Sequence, residues 1–219
     1  MFIGHFGVGL AAKRAAPWVS LGTWFLACQF LDLLWPIFLL LGWERVKVDP
    51  GNTVVTPLDF LHYPWSHSLA MACVWGFLFG SMHFARKRDL RAATLLGAVV
   101  VSHWVLDCLT HRPDLLLYPG GAQRVGLGLW NNLAGTLVAE LALFILGLAL
   151  YLKATRPVDK IGSRSLATLA AFLLIIHAGN LFGPPPPDDT RAIAGAGLAM
   201  WILVVWGYWV DRHRTPVSP

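Results

Sequence analysis

Three ionisable residues recur at every fourth position in "VSHWVLDCLTHRP": His103, Asp107 and His111. On a helix the i, i+4 spacing stacks them on one face. Imidazole nitrogen and carboxylate oxygen presented together suit zinc or another borderline divalent metal. The alternative is that His103 and Asp107 hydrogen-bond each other or a neighbouring helix, as polar groups in membrane bundles do. His111 falls at the end of the apolar run, where it can cap the helix C-terminus, and ranks below the other two.

Other segments offer the same chemistry. "TPLDFLHYPWSHS" supplies Asp59, His62 and His67, and "QFLDLLWP" supplies Asp32. Asp59 reads as a loop residue accepting backbone hydrogen bonds. Counted at ~1.5 Å per helical residue, His103 lies roughly 18 Å up from Arg91, Asp107 about 24 Å, and Asp32 about 22 Å up from Pro17. All three fall in one half of a bilayer. His5, about 13 Å from Lys13, reaches that zone if a short N-terminal helix doubles back. A helix lying flat on the surface is the equal alternative. Ionisable groups inside spans are functional candidates by default, so His5, Asp32, His62, His67, His103 and Asp107 form the candidate metal set. Asp32 is also the candidate general base. Glu140, His177 and Asn180 read as bundle-packing pairs, His83 as interfacial and His213 as part of a solvated basic tail.

The elements that must position these residues are membrane helices. The chain has 219 residues, 56% hydrophobic and 13% charged, with 11 Trp and a mean hydropathy of +0.59. That is too apolar for an ordinary soluble domain. Six stretches can cross a core of ~30 Å: residues 17–41, 66–84, 92–109, 129–152, 165–182 and 192–210. Pro17 suits a first helical turn, Ser66 an N-cap, and "GPPPPDD" breaks a helix. The expected fold is an all-α polytopic bundle of about six spans plus a short N-terminal helix. It forms one integral-membrane domain, 1–219, with the metal-site part in 1–130 and C-terminal spans in 131–210. No internal repeat is evident.

The net charge of +5 reflects topology rather than nucleic-acid binding, because the cations sort by side. Twelve lie with the N-terminus, among them Lys13, Arg14 and the Arg86–Arg91 and Lys153–Arg164 groups; Arg45, Lys47, Arg112, Arg124 and Arg191 lie opposite. The positive-inside rule then predicts a multi-pass protein of the inner (plasma) membrane with both termini cytoplasmic and the His/Asp set toward the outer leaflet. The Trp residues near the membrane edges read as anchors in the bilayer, the one partner the composition implies. Cys28, Cys73 and Cys108 have no paired spacing and indicate neither disulfides nor a thiolate site. The first sixteen residues lack the order of a cleaved signal peptide.

From the N-terminus to about Trp130 the pattern resembles the predicted membrane-bound metal-dependent hydrolases, a family of unknown function. The matching elements are His5 in "IGHFG", Asp32 after the first apolar helix, His62 and His67 in "HYPWSHS", and His103 and Asp107 in "SHWVLDCLTH". The resemblance implies a metal-dependent hydrolase, and the family's distant similarity to zinc-dependent phospholipase C implies a phosphoester substrate. Two departures alter this. Leu34 stands where the family has a second aspartate, removing a carboxylate of a two-metal centre. Tyr63 and Pro64 replace an Arg-Gly pair, removing a bidentate phosphate ligand.

The leading expectation is a membrane-embedded metal-dependent hydrolase acting on a phosphoester or lipid head group, with zinc as cofactor. A non-catalytic protein binding or moving a cation or protons is the alternative. Haem held by His103 and His177 is a third.

Overall fold

The computed structural model describes residues 1–217. The chain is an all-α bundle, as expected. Among the described residues, five helices are long and apolar enough to cross a membrane, or up to six spans if a bent pair counts as one.

Helix α1 (Ile3–Ala15) is short and largely buried, most completely over its N-terminal half. It doubles back into the bundle rather than lying on its surface, which settles the open choice about the N-terminus. The first long apolar stretch is broken: α2 (Leu21–Cys28) and α3 (Phe30–Leu40) meet at Gln29 with a 56° bend. Pro36 lies inside α3 and has no N–H to return to the carbonyl four residues earlier, at Asp32.

Two strands that the hydropathy pattern hides follow, β1 (Arg45–Val48) and β2 (Leu58–His62), paired antiparallel. One helical turn, α4 (Pro64–His67), leads into α5 (Leu69–Lys87), which is N-capped by the Ser68 hydroxyl. Asp89 caps α6 (Leu90–Thr110), and β3 (Leu115–Leu116) pairs with β4 (Arg124–Val125). Helix α7 (Leu133–Ala154) starts at the Asn132 cap. After β5 (Thr155–Pro157) comes α8 (Lys160–Phe182), capped by Asp159. The last span, α9 (Thr190–Leu198) and α10 (Trp201–Arg212), ends at β6 (Arg214–Pro216), which pairs with β5.

Small residues set the close crossings, because between helices in lipid, packing replaces the hydrophobic drive. A Cβ on Gly7 would lie 2.5 Å from the Leu143 carbonyl oxygen, and one on Gly147 2.0 Å from that of Gly7, so α1 and α7 touch backbone to backbone. Gly76 and Gly97 do the same for α5 and α6. The last span follows the break in the first, α9 against α3 and α10 against α2. Phe77, Val138, Ile145 and Ile175 point outward and are exposed, the inverse of a soluble domain.

At the end bearing the basic clusters a buried ion pair ties four helices together. Lys13 Nζ lies 2.5 Å from Asp211 Oδ2. Asp211 also accepts from Leu21 N at 3.0 Å and from the Tyr151 hydroxyl at 2.9 Å. Lys13 therefore does more than mark topology.

Candidate metal centre

The opposite half of the bundle gathers the His/Asp set. His103 and Asp107 lie one turn apart on α6, both buried. The His103 Nδ1–H donates to the Cys28 carbonyl oxygen at 2.7 Å. That carbonyl belongs to the last residue of α2, where the bend at Gln29 ends the helix and leaves the oxygen free. Because a carbonyl only accepts, His103 carries a proton on Nδ1 and turns Nε2 inward. Nε2 is buried and makes no hydrogen bond, although Asp107 Oδ2 lies 3.1 Å away.

Helix α1 brings His5 to the same place. Its ring stacks on that of His103 with centroids 3.7 Å apart, and its Nε2 lies 3.1 Å from Asp107 Oδ1. The α1 N-terminus is held there by Glu140 of α7, whose Oε2 accepts from Phe2 N at 2.8 Å and Gly4 N at 3.1 Å. Glu140 is thus a cap on α1 rather than half of a side-chain pair. The Met1 amino group lies 2.6 Å from Asp107 Oδ1.

The first turn of α3 contributes Asp32, and α4 contributes His67. His67 Nε2 is 3.2 Å from Asp32 Oδ1 and 3.8 Å from Asp107 Oδ2, and His103 Nε2 is 3.6 Å from Asp32 Oδ1. Two overlapping groups result, His5, His103 and Asp107 in one, and Asp32, His67 and His103 in the other, with each group's ligand atoms within 4.8 Å of one another. Ligands about 2.0–2.1 Å from a tetrahedral ion stand roughly 3.3–3.5 Å apart. The observed spacings bracket that value, so the arrangement fits a bound divalent cation. Asp32 has the most open side chain, 24% exposed against 5% or less for the other four. The cluster therefore opens at Asp32.

Behind the Nδ1 side of His67 lies a second acidic group. Glu44, in the turn after α3, accepts from Ser66 N at 2.8 Å and from Ser66 Oγ at 2.7 Å, and Ser66 Oγ lies 2.7 Å from His67 Nδ1. Burial pushes the Glu44 carboxyl above its usual range, and the two Ser66 donors oppose that shift.

No family model, curated protein or solved structure matches the chain. The chemistry of the site rests on its own geometry.

Five of the six expected ligands converge. His62 does not: it ends β2 opposite Arg45 and joins neither group. The hairpin carries it away, and only after Pro64 turns the chain into α4 does the next histidine, His67, point inward. His111 forms a separate network with the Tyr63 hydroxyl at 3.3 Å and Asp114 Oδ1 at 3.0 Å, under the Trp130 ring. Burial and the neighbouring Asp114 carboxylate hold the Tyr63 phenol well above its usual pKa, so it stays a neutral donor. Asp59 pairs with Lys47 and Arg112 rather than with backbone. His177 stacks on Phe2, not toward His103, and the His5 ring covers one face of His103, which leaves the haem alternative without support.

Sequence reasoning missed Glu44 and the docking role of Glu140. The available signals were an acid placed just where a span ends and a carboxylate inside an apolar helix.

Proposed function

We propose that the chain is a zinc-dependent hydrolase embedded in the inner (plasma) membrane, with both termini cytoplasmic and its centre facing the outer leaflet. There it acts on a phosphoester, such as a lipid head group. The supporting observation is the convergence of His5, Asp32, His67, His103 and Asp107 from four helices, with His103 Nε2 turned inward and one opening at Asp32.

His67, His103, Asp107 and His5 would hold the ion, with Asp32 at the open side. Bound there, zinc supplies Lewis acidity and makes a coordinated water easier to deprotonate at neutral pH. Asp32, the carboxylate of the cluster nearest solvent, would accept the proton given up by the attacking water. Asp107, buried and facing two imidazoles, holds His5 and His103 in register. A phosphoester head group approaches from the membrane surface, and its acyl chains remain in lipid.

The same cluster serving as part of a cation or proton pathway is the competing reading. Phe6 and Phe25, edge to face at 4.9 Å, lie with Leu10 and Phe144 in the apolar core around α1 between the cluster and Lys13. That dry packing favours a one-sided site over a path.

The test is the metal content of the detergent-purified protein, compared with His67→Ala and His103→Ala, followed by hydrolysis of a chromogenic phosphodiester. Stoichiometric zinc in the parent, lost in both variants together with hydrolysis, is the expected result. A parent without bound metal overturns the reading.

A further inference from the structure

We infer that Glu44 is a positioning residue that keeps a proton on His67 Nδ1, acting through the Ser66 hydroxyl, so that Nε2 is the nitrogen His67 offers to the cluster. An ionised carboxylate only accepts, and a serine hydroxyl has one proton to give. Ser66 Oγ gives that proton to Glu44 Oε2 at 2.7 Å. Toward His67 Nδ1, also at 2.7 Å, it has only a lone pair left to offer. His67 must therefore carry a proton on Nδ1, and Nε2, which hydrogen-bonds Asp32 Oδ1 at 3.2 Å, is the nitrogen turned toward the cluster.

The chain of atoms is shielded from water. Glu44 is 1% exposed, Ser66 0% and His67 5%. It is anchored at both ends, because Glu44 N donates to the Phe38 carbonyl oxygen at 3.2 Å in the last turns of α3, while Ser66 N donates to Glu44 Oε1 at 2.8 Å in α4. Glu44 thereby fixes the helix that carries Asp32 relative to the turn that carries His67. His103 has its Nδ1 proton held by a different acceptor, the Cys28 carbonyl. Both imidazoles are thus set from behind by an obligate acceptor, the usual arrangement for metal-bound histidine.

Glu44→Gln keeps the shape and inverts the donors. The amide oxygen still accepts from Ser66 N, but the amide nitrogen now donates to Ser66 Oγ. The hydroxyl then turns to donate to His67 Nδ1, which places the imidazole proton on Nε2. The experiment uses full-length protein in detergent with 15N-labelled histidine, the His67 signals being assigned by their loss in His67→Ala. In the metal-free parent at about pH 8, His67 Nδ1 should carry a proton, and in Glu44→Gln Nδ1 should have lost it, leaving the imidazole proton on Nε2. Zinc affinity, measured by chelator competition, rests on the proposed metal centre and should fall about 10–100-fold. Ser66→Ala should show a comparable loss, and Ser66→Thr, which restores the hydroxyl, should recover parental affinity. The serine pair carries the test if Glu44→Gln does not fold.

An Nδ1–H signal persisting in a folded Glu44→Gln protein overturns the inference, as does unchanged affinity in both Glu44→Gln and Ser66→Ala. A parent that binds no zinc refutes the hydrolase reading instead, and the tautomer signal still decides the role of Glu44.

Discussion

Gly147→Ala, one methyl group added on a helix that carries no candidate ligand, should damage the proposed metal centre. A Cβ at position 147 would lie 2.0 Å from the Gly7 carbonyl oxygen and 2.7 Å from Gly7 Cα. Ordinary contact begins at 3.4 Å, so α1 and α7 must separate by about 1.4 Å. The obstacle is backbone, which no rotamer change relieves. Helix α1 has no free space to retreat into, because a Cβ on Gly9 on its other face would already be 2.8 Å from Cys28 Sγ. Overpacking of this kind costs about 1–3 kcal/mol. His5 sits less than one turn from Gly7 and moves with the helix, beyond the ~0.5 Å within which a preorganised ligand must be held. The expected results are a lower melting temperature by intrinsic Trp fluorescence in detergent and a loss of zinc affinity of about tenfold or more. Gly179→Ala on α8, where a Cβ meets nothing within 4 Å, is the control and should be neutral. Parental melting and parental zinc affinity in Gly147→Ala would refute the claim that the α1–α7 contact sets His5.

Two further predictions concern the end bearing the basic clusters. Asp211→Asn leaves the buried Lys13 ammonium without its counter-charge and should cost about 3 kcal/mol, read as a fall in melting temperature; an unchanged transition would show the pair to be idle. Asp89 is held below its ordinary 3.8 by the Ala92 N–H and the Trp18 indole N–H, and Asp159 by His213 and the Gly162 N–H. With folded values below unfolded ones, both caps contribute fully above about pH 4 and lose that contribution as pH falls through the folded values. Asp89→Asn with Asp159→Asn keeps the acceptors without titrating and should flatten the decline in melting temperature between about pH 5 and 3; an identical slope in parent and variant would count against the assignment.

Much of the site was legible because it rests on local periodicity. His103 and Asp107 share a helical face whatever else the chain does, and counting from the basic residues put Asp32 at a matching depth. The break at Gln29 was not legible: "LACQFLDLL" is apolar apart from Gln29 and Asp32 and carries no Gly or Pro at the bend. Yet that break frees the Cys28 carbonyl for His103 and aims Asp32 at the cluster. His62 was misplaced because "RVKV" and "LDFLH" are too short to declare themselves as strands, and the pairing register decides where His62 goes. Glu44 looked like one more acid at a membrane exit, since its partners Ser66 and His67 lie more than twenty positions away and become neighbours only when α4 folds against the end of α3.

The docking of α1 against α7 also bears on biosynthesis. At 13 residues and ~1.5 Å per residue, α1 falls short of the ~30 Å membrane core and has no stable transmembrane position of its own. Its acceptor, Glu140, follows Gly4 by 136 positions, so at about 5–20 residues per second the ribosome delivers it roughly 7–30 s later. During that interval α1 waits at the bilayer surface with its first N–H groups uncapped and His5 away from Asp107. Insertion of α7 and completion of the donor set are therefore one event, and a chain arrested before residue 140 exposes to the membrane a helix with nowhere to dock.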